Sequence, residues 1–283
     1  MEPRRANGRS SEACPTPLAR PFPSSLLILW SLKFVSCFVC AVNWPEQCAV
    51  VIPCRNEAAA LGALVREVRA QWPHVIVVDD GSTDDTGEVA RGAGAEVVVH
   101  PSARGKGAAL QTGWRRARER GFDFALCLDG DGQHAPGDMG KFMECAGRTG
   151  ASLVVGNRMH AAEKMPWLRR LVNRWMSRKL SALAGCELPD SQCGFRLVRL
   201  AALDEVRLQT VQFEIESEQL LAFVAAGLRV EFVPVEVIYR AERSKIHPLR
   251  DTLRWFRWRR AWRKVSAPPQ SSASQSTKSP WLR

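Results

Sequence analysis

Residues 122–134 read Phe-Asp-Phe-Ala-Leu-Cys-Leu-Asp-Gly-Asp-Gly-Gln-His, a mostly apolar segment that ends in two aspartates one residue apart. A buried strand of a parallel sheet is a continuous apolar run, so Asp129 and Asp131 mark the point where a strand leaves the sheet. Two carboxylates at a strand end can hold a hard divalent cation together with substrate phosphates. The alternative is a polar β-turn, and the neighbouring segments distinguish the two interpretations.

Three further apolar segments precede this one, and polar residues follow each of them. The sequence predicts strands over 49–53, 74–78, 95–100 and 122–128, with helices between them. Strands that alternate with helices in units of about thirty residues indicate βαβ units, and so an α/β fold with a mostly parallel sheet and helices on both faces. Ligands bind outside the carboxyl ends of the strands in such sheets, and all four polar clusters fall at those ends.

The polar clusters and the segments that follow them resemble a known family. In chain order they read VVIPCRNEAAAL (50–61), VVDDGSTDDT (77–86), GKGAALQTG (105–113), CLDGDGQHAP (127–136), VVGNR (154–158) and DSQCGFRLVR (190–199). This set resembles the family-2 glycosyltransferases of the GT-A fold, and the resemblance covers about residues 47–255. The segment ERSKIHPLRDTLR (242–254) is similar to the branch that contains dolichyl-phosphate mannosyltransferase and bacterial polyprenyl-phosphate glycosyltransferases.

The resemblance implies a Rossmann-like domain that binds a nucleotide-sugar, with a UDP- or GDP-sugar as donor and polyprenyl phosphate as acceptor. The donor diphosphate leaves with negative charge, which Mg²⁺ or Mn²⁺ would neutralise. Asp129 and Asp131 are accordingly predicted to be catalytic residues and metal ligands. Gln133 is predicted to add a carbonyl oxygen to the metal, as its counterpart does in related lipid-phosphate transferases; the alternative for Gln133 is loop polarity.

The donor is expected to lie at the ends of the first three strands. The predicted donor-binding residues are Pro53, Asn56, Glu57, Asp79, Asp80, Gly81, Ser82 and Lys106. In the family the acids at these positions hydrogen-bond the base and the ribose, and an ionised carboxylate suits this role because it only accepts hydrogen bonds. Lys106 stands between two glycines and suits a donor phosphate or ribose; the alternative is a lysine on a solvated turn.

A phosphate acceptor is already ionised at neutral pH, so it needs cations rather than a general base. Guanidinium groups bind phosphate bidentately. The predicted acceptor-phosphate residues are Arg158, Arg174, Arg196, Arg243 and Lys245. For Arg196 the alternative is an ion pair with a buried acid such as Asp190, and for Arg174 it is solvation on a membrane-facing surface.

Asp190 begins the DSQCGFR motif and is predicted to be catalytic. In relatives with hydroxyl acceptors, an acid near this position deprotonates the acceptor. With a phosphate acceptor, the alternatives for Asp190 are to orient arginines, to contact the sugar or to cap a turn. His134, His160 and His247 lack metal-ligand spacing to one another and are interpreted as incidental.

The net charge of +11 is concentrated at the carboxyl end of the chain, where residues 241–283 hold eleven Lys or Arg and two acids. A uniformly basic nucleic-acid-binding protein would not show this distribution, so no nucleic-acid partner is predicted. The predicted organisation is a disordered and apolar N-terminal extension (1–46), a GT-A domain (47–240), a basic, Trp-rich amphipathic interfacial helix (241–265) and a flexible tail (266–283).

Three segments bear on the membrane. Residues 24–42 approach the ~20 apolar residues that span a bilayer; a membrane anchor, an uncleaved signal-like segment and a non-native upstream extension remain open. In the helix predicted over 248–265, Trp255, Trp258 and Trp262 share one arc flanked by arginines, which favours the bilayer interface over packing on the domain or nucleic-acid binding. The basic helix predicted over 166–184 either faces the membrane beside the active site or is an amphipathic core helix.

These observations predict a metal-dependent, inverting glycosyltransferase that uses polyprenyl phosphate at the cytoplasmic face of the cell membrane, peripheral or singly anchored. Nine irregularly spaced cysteines, several inside apolar strands, fit a reduced cytosolic setting. The nearest alternative transfers to a sugar hydroxyl. The others are an aspartyl-phosphate phosphohydrolase, which also places Asp-x-Asp after an apolar strand, and a non-catalytic membrane protein that binds sugar nucleotides.

Overall fold

The computed structural model describes residues 43–238 and 248–265, which belong to two separate compact units. The apolar segment 24–42, the tail 266–283 and the predicted acceptor residues Arg243 and Lys245 lie outside the described residues.

The first unit is an α/β domain in which strands and helices alternate. Its strands are β1 (Cys48–Cys54), β2 (Val75–Asp79), β3 (Glu96–Val99), β4 (Phe124–Cys127), β5 (Leu153–Asn157), β6 (Arg196–Arg199) and β7 (Val230–Pro234). Its α-helices are α1 (Trp44–Gln47), α2 (Ala58–Arg69), α3 (Thr86–Gly92), α4 (Lys106–Glu119), α5 (Met139–Thr149), α6 (Trp167–Ala184) and α7 (Ile215–Ala225). Short 3₁₀ helices cover Pro136–Asp138, Met159–Lys164 and Leu200–Asp204.

The strands form one sheet in the order β3-β2-β1-β4-β6-β5-β7. Strand β6 is antiparallel to both of its neighbours, whereas the other described strands share one direction. The predicted α/β fold with a mostly parallel sheet is therefore confirmed. The reversal of β6 was not predicted, and it means that residues 158–195 leave the sheet and return to it at the same edge.

The core lies on the faces of the central strands, where every residue of β1, β2 and β4 is buried. Cys48, Cys54 and Cys127 are among these residues, as their apolar surroundings predict. Helix α4 packs closely on β1, because a Cβ added at Gly113 would lie 2.3 Å from a methyl group of Val51. Continuous burial on both faces explains why these strands read as unbroken apolar runs.

The order of the strands locates a crevice for ligands. Strand β1 has β2 on one side and β4 on the other, so the chain proceeds from β1 in opposite directions across the sheet. Ligands bind at such a switch point, outside the carboxyl ends of the strands. Asp129 follows β4 at this point, and Gly130 packs beside β1, since an added Cβ would lie 2.9 Å from Cβ of Cys54.

Helix α6 buries polar residues and exposes apolar ones. Asn173, Ser177 and Leu180 are buried, whereas the large apolar residues of its first half are exposed. The exposed residues are Trp167, Leu168, Leu171, Val172 and Trp175. Positions 168, 171, 172 and 175 follow helical i, i+3, i+4, i+7 spacing and form one stripe. The interpretation of α6 as a core helix is therefore wrong for this stripe.

The described part of the second unit is helix α8 (Pro248–Val265), with the bounds predicted from the sequence. The rings of Trp255 and Trp258 lie 6.4 Å apart, and those of Trp258 and Trp262 lie 5.9 Å apart. The guanidinium of Arg259 stands 5.5 Å from the ring centre of Trp255, at cation–π distance. Within 43–238 and 248–265, none of the helices is long and apolar enough to cross a membrane.

The chain packs closely at the carboxyl end of β2, and substitution of Gly81 tests this packing. Gly121, which follows α4, is the control. Both have positive φ, but a Cβ at Gly81 would lie 2.6 Å from the backbone of Ser102 and Ala103, whereas one at Gly121 would meet nothing within 4 Å. Gly121→Ala is expected to lower the free energy of unfolding by about 1 kcal/mol, and Gly81→Ala by about 3 kcal/mol because a backbone clash is added. Urea unfolding measures both values, and equal losses would contradict the close approach.

Candidate active site

The aspartate pair lies in a charged pocket at the end of β4. Nζ of Lys106 is 2.5 Å from Oδ1 of Asp129, and Nε2 of His134 is 3.4 Å from Oδ2 of the same carboxylate. Burial alone would raise the pKa of Asp129, but the charge of Lys106 and a hydrogen bond from His134 hold this pKa well below its usual range. Asp129 is therefore ionised at neutral pH.

Asp131 stands in the opposite electrostatic situation. Its Oδ1 accepts a hydrogen bond from the backbone N–H of Gln133 at 3.0 Å. Burial, and next the negative charge of Asp129, raise the pKa of Asp131 above its ordinary value. A carboxylate in this position is stabilised by an added cation.

Lys106 connects the pocket to a residue that was not predicted. Its Nζ lies 2.6 Å from Oε1 of Glu216, which is buried in the first turn of α7. The charge of the pocket thus comes from three carboxylates, those of Asp129, Asp131 and Glu216, and from the ammonium of Lys106. The predicted donor contact of Lys106 stays a hypothesis, but its ammonium is already paired with two acids of the protein.

The predicted donor residues at the end of β2 come together as expected from the parallel sheet. Oδ1 of Asp79 accepts a hydrogen bond from the backbone N–H of Ser82 at 3.0 Å. Asp80 accepts hydrogen bonds from Nδ1 of His100 at 2.7 Å and from the backbone N–H groups of Arg104 and Gly105 at 2.8 and 2.7 Å. Asp80 therefore joins the end of β2 to the loop that leads into α4, which begins at Lys106.

The hydrogen bonds of Asp80 also determine its charge state. Burial alone would raise the pKa of Asp80, but the bonds from His100, Arg104 and Gly105 outweigh burial and lower this pKa. The ring of His100 is held from its other side, because Nε2 lies 3.0 Å from Oγ1 of Thr112 on α4. Asp80 is thus an ionised carboxylate whose oxygens already bind protein donors.

The end of β1 is tied to the same turn. Asn56 has a left-handed backbone (φ 51°), its Oδ1 accepts from the backbone N–H of Thr83 at 2.8 Å, and its own N–H donates to Oγ of Ser82 at 2.9 Å. The backbone N–H of Glu57 donates to Oγ1 of Thr86 at 2.8 Å. Pro53 is the residue of β1 that pairs with Val78 of β2. The structure therefore brings the predicted residues of β1 and β2 to one edge of the sheet.

Asp190 is enclosed by hydrogen-bond donors of the protein. Its side chain is fully buried and accepts hydrogen bonds from the backbone N–H, Nε and Nη2 of Arg158 at 3.0, 2.8 and 2.9 Å, and from Nδ2 of Asn173 at 3.0 Å. Burial would raise the pKa of Asp190, but the charge of Arg158 lowers it. Because this carboxylate does not reach solvent, the geometry favours the alternative in which Asp190 orients Arg158, and its catalytic role stays a prediction.

Arg196 is also enclosed by protein groups. Its guanidinium is buried and donates to the backbone carbonyl oxygens of Cys193, Glu216 and Ser191, and to the side chain of Gln219. The considered ion pair of Arg196 with Asp190 is not formed, since Arg158 pairs with that acid instead. These bonds hold the segment before β6 against α7, and contact of Arg196 with the acceptor phosphate stays a prediction.

Arg174 and Gln133 occupy more accessible positions. Arg174 is exposed on α6 and lines a cleft with Ser177, Arg178 and the turn 185–189. Gln133 is half-buried, and its backbone carbonyl accepts from the N–H of Ile238 at 2.9 Å. Their predicted roles toward the acceptor phosphate and the metal stay predictions.

The carboxylates of the pocket fit a divalent cation that is shared with a diphosphate. In the described part of the chain, no group of three or more His, Cys, Asp or Glu side chains is arranged to hold a metal ion. Asp129 and Asp131 supply two carboxylates, which is the number that Mg²⁺ uses when substrate phosphates and water complete its shell. The residues present therefore suit joint binding of cation and donor, with Asp129 and Asp131 as the protein ligands.

Sequence reasoning missed His134, His100 and Glu216. His134 was interpreted as incidental, yet it is 4% exposed and its Nε2 faces Asp129. Its position five residues after Asp129 gives no metal-ligand spacing, so only the return of the loop toward the sheet identifies it. Glu216 had a usable signal, because acids recur at every second position (214, 216 and 218) in FEIESEQL (213–220), and all three are buried.

The mostly parallel sheet and the aspartate pair at its switch point are the features of a GT-A glycosyltransferase. Residues 49–207 match the profile of glycosyl transferase family 2, and the chain belongs to that family. It is therefore an enzyme of the family-2 glycosyltransferase class, as the motifs predict.

Two curated relatives and one solved structure place the chain more closely. It is 29% identical over 213 residues to a UDP-N-acetylglucosamine–dolichyl-phosphate N-acetylglucosaminyltransferase of Methanococcus voltae, over 67% of this chain and 85% of that protein. It is 31% identical over 203 residues to an undecaprenyl-phosphate mannosyltransferase of Micrococcus luteus, over 67% and 83% of the two chains. These relatives confirm the predicted resemblance to the polyprenyl-phosphate branch.

The solved structure shares the fold. Glucosyl-3-phosphoglycerate synthase of Mycobacterium tuberculosis, in complex with Mn²⁺, uridine-diphosphate-glucose and phosphoglyceric acid, superposes with a TM-score of 0.57 at 23% identity. The match covers 75% of this chain and 76% of that chain. At this identity the likeness establishes the GT-A architecture.

The buried pair of Arg158 and Asp190 leads to a stability prediction. Asp190→Asn leaves the guanidinium of Arg158 buried without its counter-charge, so we expect the free energy of unfolding to fall by about 3 kcal/mol at pH 7. The matched control is Asp204→Asn, which removes an exposed partner of Arg118 and should cost less than about 1 kcal/mol.

The pH dependence of this difference has a definite sign. The pKa of Asp190 is lower in the folded than in the unfolded protein, so its contribution is full above the unfolded value of about 4 and is lost as pH falls toward the folded value. Urea unfolding at several pH values should therefore show the gap between wild type and Asp190→Asn shrinking in acid. A gap that is constant or widens in acid would contradict this pairing.

Proposed function

We propose that this glycosyltransferase moves a sugar, with inversion, from a UDP- or GDP-sugar to polyprenyl phosphate at the cytoplasmic face of the membrane, as a peripheral or singly anchored protein. One observation carries the proposal: α6 has two functional sides. Its buried Asn173 donates to Asp190, which holds Arg158, while its exposed side is apolar and basic. The same helix thus supports a phosphate-binding arginine and presents a surface suited to lipid.

The relatives support this acceptor. The protein of Methanococcus voltae is named for dolichyl phosphate, and that of Micrococcus luteus for undecaprenyl phosphate. Both acceptors are phosphate groups on a long prenyl chain, which a soluble active site must meet at a membrane. We extend this substrate class, although not the individual sugar, to the present chain.

The donor would lie across the carboxyl ends of β1, β2 and β4. Asp79, Asp80 and Glu57 are proposed to face the base and ribose, and Asp129 and Asp131 to hold Mg²⁺ or Mn²⁺ with the diphosphate, with Gln133 as a further oxygen ligand. The bound cation would neutralise the charge that gathers on the leaving diphosphate. The structure of glucosyl-3-phosphoglycerate synthase with Mn²⁺ and uridine-diphosphate-glucose is a precedent for this arrangement on the same fold.

The transfer needs no general base. An oxygen of the acceptor phosphate attacks the anomeric carbon from the side opposite the diphosphate, and the new C–O bond forms as the bond to the diphosphate breaks. The electron pair of the broken bond leaves with the nucleoside diphosphate. The acceptor phosphate is ionised at neutral pH, so no proton must be removed. Full burial of Asp190 agrees with this chemistry, whereas a hydroxyl acceptor would require an accessible base.

Arg158 and Arg174 are proposed to bind the acceptor phosphate. Arg158 is 15% exposed at its side chain and is held in a fixed orientation by Asp190, so little freedom is lost when it binds an anion. Arg174 projects from α6 one turn before Arg178, beside the exposed apolar stripe. A headgroup between these arginines would leave the prenyl chain on the apolar side of the helix.

The proposed metal role predicts the effect of substitutions in the aspartate pair. Asp129→Asn and Asp131→Asn should each lower transfer from nucleotide-sugar to polyprenyl phosphate at least about a hundredfold, because several kcal/mol of charge stabilisation is lost. The matched control is Asp123→Asn, an exposed aspartate at the opposite end of β4, which should keep wild-type activity. Labelled lipid product is quantified after extraction.

Two results would contradict the assigned roles. Full turnover by a folded Asp129→Asn protein would remove the metal role. Transfer to saccharides but not to polyprenyl phosphate, with the same labelled donor, would replace the proposed acceptor with a hydroxyl.

The proposed membrane contact predicts the effect of substitutions on the exposed face of α6. Trp167 is 70% and Leu171 is 58% exposed, so the double variant Trp167→Ser/Leu171→Ser should keep the fold while losing apolar area that the bilayer would cover. We expect its partition onto anionic phospholipid vesicles to fall at least about tenfold. Val99→Ser, which removes an exposed apolar residue from β3, is the control. Co-sedimentation with vesicles measures binding, and unchanged partition would exclude this face of α6 as the contact surface.

A further inference from the structure

Lys106 is held between two acids in a nearly closed environment. Its side chain is 14% exposed, and its Nζ lies 2.5 Å from Asp129 and 2.6 Å from Glu216. The ring of Phe213 has its centre 6.0 Å from the ammonium. Burial alone would lower the pKa of Lys106, but the charges of Asp129 and Glu216 raise it, so the group remains a cation at all pH values of interest.

The fold leaves Lys106 little choice of position. Gly105 has a positive φ of 104°, and an added Cβ would lie 2.4 Å from the carbonyl oxygen of Val211. A Cβ at Gly107 would lie 2.7 Å from the carbonyl carbon of the same residue, and the N–H of Ala108 donates to its oxygen at 3.1 Å. The start of α4 is thus pressed against the segment that leads into α7, which carries Glu216.

A divalent cation at Asp129 would share that carboxylate with the ammonium of Lys106. Two cations on one carboxylate repel each other, and the repulsion is strong at these distances in a partly buried site. Glu216 offers Lys106 a second carboxylate at nearly the same distance. The ammonium can therefore keep one ion pair while its interaction with Asp129 weakens.

We propose that Lys106 sets the affinity of the metal site by competing with the divalent cation for Asp129, and that Glu216 is the positioning residue that restrains Lys106. The inference rests on the proposed metal role of Asp129 and Asp131. Its consequence is that the cation binds weakly alone and tightly with the donor, because the diphosphate supplies the negative charge that offsets Lys106. Binding of cation and binding of donor are then coupled, each strengthening the other.

The test is a titration with Mn²⁺ alone, followed by electron paramagnetic resonance of the free ion. Lys106→Met should tighten Mn²⁺ binding about tenfold, since a positive charge next to the ligand is removed. Glu216→Gln should weaken it by about three- to tenfold, since Lys106 then pairs with Asp129 alone. Arg120→Met and Glu96→Gln, which make the same charge changes in an ion pair between the start of β3 and the end of α4, are matched controls and should leave the affinity unchanged.

The double variant Lys106→Met/Glu216→Gln tests whether Glu216 acts on the metal site through Lys106. The Lys106→Met variant has no ammonium for Glu216 to restrain, so Glu216→Gln should change Mn²⁺ affinity less in this variant than in the wild type. Equal effects in both backgrounds would overturn the proposal, as would an unchanged affinity in Lys106→Met. If Lys106→Met fails to fold by circular dichroism, Lys106→Gln, which keeps a polar end, is measured with the same expectation.

Asp129→Asn distinguishes failure of this inference from failure of the proposed function. If Asp129→Asn leaves Mn²⁺ binding intact, the metal ligands are elsewhere and the proposed function loses its metal site. If Asp129→Asn abolishes Mn²⁺ binding while Lys106→Met and Glu216→Gln have no effect, the metal site stands and only the competition by Lys106 is refuted.

Discussion

Parallel pairing of β1 with both β2 and β4 is the constraint on which the site depends. Parallel strands end at the same edge of a sheet, so the polar residues after each strand must gather there. Asp80 reinforces the arrangement by accepting hydrogen bonds from the loop that follows β3. Without that pairing, Lys106 at the start of α4 and the aspartates after β4 would lie far apart in space.

The cations of the site are paired with carboxylates before any substrate binds. Arg158 is matched by Asp190, and Lys106 is matched by Asp129 and Glu216. Each pair lies in a poorly solvated region, where an unmatched charge would be costly. Mutual compensation allows a charged site to exist inside a stable domain, and it also means that most of its ionic groups are already engaged with protein partners.

Local sequence was sufficient for the first half of the domain because β1, β2 and β4 are apolar runs with abrupt polar ends. The second half carries weaker signals. Strand β6 has the sequence RLVR, which shows neither alternation nor a continuous apolar run, and its direction depends on the path of the preceding forty residues. Motif resemblance singled out Asp190, but its burial against Arg158 is a tertiary property that no local pattern contains. The periodicity of α6 likewise defined a stripe without showing which side of the helix meets solvent.

The reversal of β6 divides the chain into a part proposed to bind the donor and a part proposed to bind the acceptor. The residues proposed for the donor lie at the ends of the first four strands, whereas the arginines proposed for the acceptor lie in an excursion that departs after β5 and rejoins the sheet at β6. Both ends of that excursion join the sheet at the same edge. Its length and sequence can therefore change without displacing the first four strands. The class of acceptor can therefore change through residues 158–195 alone, while the strand ends proposed for the donor keep their geometry.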